Sequence, residues 1–167
     1  MKRISLFLCW VRIMQMLCAC NAKAKDYKEP TLYYYINQDV SYNSPTAVIQ
    51  SEVREGADLY GNLTAYLYAY LRGPVSQDLQ RIIPMDVYIV TCGVTAESVN
   101  IVFSNQFSKL NGIDLICASS ALLMSVHAFT GVDTLIITAK DGLIEEKDEF
   151  IITMDDIVVM DTVTIEE

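Results

Sequence analysis

Hydrophobic and polar positions along the 167-residue chain change period several times, and each change predicts an element. Leu32-Tyr33-Tyr34-Tyr35-Ile36 is aromatic and β-branched and runs into Asn37-Gln38-Asp39, the pattern of a strand followed by a turn. Ala47 to Val53 predicts a second extended segment. From Asp58 to Arg72, Leu59, Leu63, Tyr66, Leu67, Tyr70 and Leu71 recur three and four apart, which predicts a helix stopped by Gly73-Pro74. Leu79, Ile82 and Ile83 lead into Pro84. Alternation over Asp86 to Cys92 and again through Val99, Ile101 and Phe103, with a turn at Gly93 to Glu97, predicts a β-hairpin ending at Ser104. A second helix is expected from Asp114 to Phe129, capped by Asp114 or Asn111 and closed at Gly131-Val132. Leu135 to Thr138 is then a strand returning beside the hairpin, and Phe150 to Met160 holds two β-rich runs split by Asp155-Asp156. The core order of helix, strand, strand, helix, strand predicts an α+β fold. Two helices pack on a small, mostly antiparallel sheet, with extra strands at both ends.

The segment before these elements carries a different signal. Lys2 and Arg3 precede the apolar run Ile4 to Leu17, which closes on Leu17-Cys18-Ala19-Cys20, the pattern of a bacterial lipobox. An uncleaved anchor needs about 20 apolar residues, and this run is shorter and broken by Arg12 and Gln15. Cys18 is the poorer acceptor, since Met16 and Leu17 would stand where small residues belong. The reading is residues 1–19 as signal peptide, Cys20 as the acylated residue, 20–30 as a polar tether and 31–167 as one domain. Ordinary secretion without a lipid is the alternative.

Loss of Lys2, Arg3 and Arg12 takes the formal charge from −9 to −12. No basic stripe interrupts the acidity, which excludes nucleic acid as a partner. Glu145, Glu146, Asp148, Glu149, Asp155, Asp156, Asp161, Glu166 and Glu167 crowd the end of the chain. They lack the alternating ligands and central glycine of a calcium loop, so no metal is expected there. Cys92 and Cys117 read as small buried residues, with a bridge between them left open. The single histidine, His127, lies ten residues from Cys117 on the same predicted helix, about 15 Å away along the axis, too far for a thiol–imidazole dyad. No phosphate loop, HExxH or GxSxG occurs. No catalytic residue, cofactor or metal is therefore expected. The aromatic residues Tyr33, Tyr35, Tyr60 and Tyr68 are candidate partner contacts, with lining of the core edge as their plainer role.

Leu32-Tyr33-Tyr34, a helix closing on Leu71-Arg72-Gly73-Pro74, Ile83-Pro84 before a hairpin, Val102-Phe103-Ser104 with Phe107, and Phe129-Thr130-Gly131-Val132 follow one another in fixed order. Together they resemble the GerM domain of sporulation and spore-germination lipoproteins, as a divergent member with Val102 where the family often carries an acid. The resemblance implies a non-enzymatic module, related in shape to the ring-building domains of secretion systems and of the sporulation channel. It implies envelope proteins, or further copies of the chain, as partners. A surface lipoprotein holding a small ligand or cell-wall fragment in a cleft is the second reading.

Overall fold

The computed structural model describes residues 30–38, 48–55 and 61–157. The signal segment, Cys20, most of the tether, Tyr60, the start of the first predicted helix and the run after Ile157 lie outside these residues. The elements are β1 (Thr31–Asn37), β2 (Ile49–Arg54), α1 (Leu63–Leu71), β3 (Leu79–Gln80), β4 (Ile89–Val94), β5 (Val99–Phe103), α2 (Gly112–Thr130), β6 (Thr134–Ala139) and β7 (Glu149–Thr153), with short 3-10 turns at Asn105–Lys109 and Met154–Asp156. The expected core order of α1, β4, β5, α2 and β6 is present.

The expected α+β class is present, and its strands fall into two sheets, the extra N-terminal strands forming one of their own. β1 lies between β2 and β3 in an antiparallel three-stranded sheet, and the other sheet runs β4-β5-β6-β7. The N-terminal strands pair among themselves rather than extending the hairpin, and α1 packs against β4, with Thr64 Oγ1 3.1 Å from Cys92 Sγ. Within the second sheet only β5 and β6 are parallel, as a connection through a whole helix allows. The two-residue β3 is too short to show a period in the sequence.

α2 is apolar enough, with a mean hydropathy of 1.5 over an 18-residue stretch, to cross a membrane by composition and length alone. Here it is the core helix. Leu115, Ala118, Leu122 and Val126 join the inward side chains Val99, Ile101, Phe103, Leu135 and Ile137 in one hydrophobic cluster. On its β1 side the small residues Ala121 and Ser125 allow close approach, and Ser125 Oγ accepts from the Tyr34 amide at 2.8 Å while bonding to Ala121 O. Asn62, part of a glycosylation-like Asn-Leu-Thr sequence, is the N-cap of α1, its side chain accepting from the Ala65 amide. α2 begins at Gly112, with Asn111 at the cap position but making no side-chain cap bond. Glu145 takes that place by accepting from the Gly112 amide at 2.9 Å. The helix ends as expected at Gly131, in the left-handed region at φ 75°.

Candidate interaction surface

β1 is the central strand of its sheet, so its inward side chains meet both helices. Tyr33 stacks on Tyr66 with ring centroids 4.7 Å apart, Tyr66 stacks on Phe129 at 4.3 Å, and Tyr35 stacks on Tyr70 at 4.9 Å. Tyr33 and Tyr35 are 0% and 1% exposed. The candidate role of partner contact does not fit this burial and the plainer role at the core does, because aromatic rings on the inner side of a central strand supply core area rather than contact area. Burial also pushes the Tyr33 phenol up and the Tyr35 phenol to about 12, although Arg54 opposes both shifts. Tyr68 is exposed on α1 at 48%. Tyr60 and Cys20 lie outside the described residues.

The groups usually suspected of chemistry are scattered. His127 stands in the last turn of α2, its Nδ1 2.9 Å from Asp133 Oδ1. Cys92 is on β4 and Cys117 on α2, both as free thiols. Burial and the nearby Asp114 raise the Cys117 pKa, which disfavours the reactive thiolate. Among the described residues no group of three or more His, Cys, Asp or Glu could hold a metal. An enclosed space between Tyr35, Tyr70, Arg81, Ala118 and Ala121 measures about 10 Å³, room for a single water. It lends nothing to the ligand-cleft reading.

The second sheet offers a broad surface instead. Its register sets two outward rows, Thr91–Val102–Thr138–Glu149 and Gly93–Asn100–Ile136–Ile151. Val102 and Ile136 are partly exposed and Ile151 is 51% exposed. The only charged side chain in either row is Glu149, on a chain of formal charge −9. A face of threonine, valine and isoleucine with one charge at its rim has the composition of an interface centre, from which charge is depleted. Sequence alternation over 134–139 could have identified the face, but only pairing shows which strands lie beside it.

β7 is the outer strand of this face. The Met154 amide donates to Asp133 O on the β6 side, so alternation turns the Thr153, Ile151 and Glu149 amides the other way. The Thr153 amide meets Asp156 Oδ2 at 2.8 Å. These bonds to Thr153 hold the Asp156 carboxyl below its ordinary value.

No protein-family model matches the chain, and no curated protein matches it. Among solved structures, the first GerMN domain of the sporulation protein GerM from Bacillus subtilis superposes with a TM-score of 0.54 at 15% identity, covering 77% of this chain and 99% of that one. The tandem GerMN domains of the same protein give 0.49 at 16% identity over 68% of this chain and 39% of theirs. A Clostridium perfringens protein provisionally described as a lipoprotein gives 0.46 at 12% identity over 80% and 93%. The superposition at 0.54 shows a GerMN-like fold.

Proposed function

We propose that this chain is a lipid-tethered, extracytoplasmic module that binds protein, working in an envelope complex of sporulation or germination. The observation that carries the reading is the outer face of the β4–β7 sheet, where Glu149 is the one charge in two rows of threonine, valine and isoleucine, which suits a broad partner surface better than a small ligand. The lipobox at Cys20 supports the tether, and the GerMN-like fold supports the setting. Cys20→Ala separates the tether from the rest: the protein is expected to stay unprocessed or to leave the detergent phase, and to lose its sensitivity to globomycin. An unchanged membrane fraction and mass overturns the anchoring.

A further inference from the structure

We propose that the free edge of β7 takes up an extended segment of another protein as an added strand, one with a β-branched apolar middle and lysine or arginine at both ends. This rests on the interaction-module reading and names the partner's chemistry. Among the described residues no backbone group answers the outward Glu149 and Ile151 amides, and unpaired edge groups of this kind are templates for strand addition. A surface depression of about 790 Å³ follows this edge, lined among the described residues by Glu146 to Ile151. Side chains of an added strand point alternately to the two sides of the sheet. On the outer side they would cover Ile151, and on the inner side the half-buried Phe150.

Charge chooses the occupant. The edge is bracketed by exposed carboxylates, with Glu146, Asp148 and Glu149 against the single Lys147 at one end and Asp155 and Asp156 at the other. A second copy paired antiparallel about Ile151 would set Glu146 opposite Asp156 and Lys147 opposite Asp155 of its mate, and with Asp148 and Glu149 beside them the facing ends both stay net negative, which works against pairing. The stretch 158–167 of this chain has Asp161, Glu166 and Glu167 and no lysine or arginine, so it carries the same sign. A strand with basic ends complements both brackets.

The test titrates the full chain, held in mild detergent, with a labelled nonapeptide of alternating valine and threonine flanked by lysine pairs. A peptide with the same middle and glutamate pairs serves as comparison. Fluorescence anisotropy should show the lysine peptide binding at least about tenfold more tightly, with added salt weakening it. Ile151→Pro removes an amide from the free edge while leaving the β6–β7 ladder intact, and should weaken binding about tenfold or more. If that variant melts early, Ile151→Lys supplies the same loss by repulsion. Hydrogen exchange at the Ile151 amide should be fast in the free chain and slow with peptide. Equal binding of both peptides, full affinity in both variants, or an Ile151 amide protected before peptide is added would each overturn the proposal. Such failures leave the sheet-face reading standing, since that depends on Val102 and Ile136.

Discussion

Arg54 joins four parts of the chain through one guanidinium. It donates to Glu52 at 2.5 Å, to Ala69 O, to Gly73 O and to the Tyr35 hydroxyl, and it lies over the Tyr33 ring at 4.4 Å from the centroid. Glu52 in turn accepts from the Val75 and Ser76 amides, so the pair ties β2 to the segment after α1. Burial alone would raise the Glu52 pKa, but bonds from the Ser76 amide, Arg54 and the Val75 amide hold the carboxyl below its ordinary 4.5. A depressed folded pKa gives stability that is complete above the unfolded value and is lost as pH falls through the folded one. Thermal melts should therefore show Glu52→Gln less stable than the natural chain at neutral pH, with the gap closing below about pH 4.5. Arg54→Met leaves Glu52 without its cation and should cost about 3 kcal/mol by denaturant titration. The alternating Glu52 and Arg54 put two opposite charges on one side of a strand. That signal was available in the sequence, but nothing in it shows the carbonyls of Ala69 and Gly73 that make the pair central.

Element ends were the most legible feature of the sequence, because they depend on local chemistry. Gly131 occupies the left-handed region, and an added Cβ there would meet nothing within 4 Å, so substitution acts through backbone strain alone. Gly131→Val should destabilise by more than about 1 kcal/mol. A variant melting with the natural chain would place the helix end elsewhere. The turn before β7 was hidden. Glu145 and Glu146 both have positive φ, 48° and 68°, between the bridged Ile144 and Lys147, where such two-residue turns usually carry Asn-Gly. Glu145 is accounted for by the Gly112 amide. Glu146 has no comparable bond among the described residues, and Glu146→Gly should raise stability by about 1 kcal/mol in the same melts. The strands β4 to β6 were readable because alternation matches a sheet with one buried face. The separation into two sheets was not, because it shows only in contacts far apart in sequence, among them α1 on β4 and α2 on β1. For the same reason the sequence leaves Tyr33 and Tyr35 between a partner contact and the core edge. Their types suit an interface and a core equally, and only the central position of β1 decides between them.

Across the whole molecule, one face of the second sheet builds the core while the other presents Val102, Ile136 and Ile151 without charge. Groups that could do chemistry sit apart on α2 and β4. On the proposed reading, an acidic chain with a nearly neutral face would gain specificity from that contrast, since its remaining surface repels other acidic proteins. The most direct measurement is complementation of a deletion strain by folded variants matched for abundance and melting temperature. Ile136→Lys, which puts a charge at the centre of the face, should fail to restore function, and His127→Ala should restore it fully. Restoration by Ile136→Lys together with failure of His127→Ala would contradict the account and direct attention to the imidazole beside Asp133.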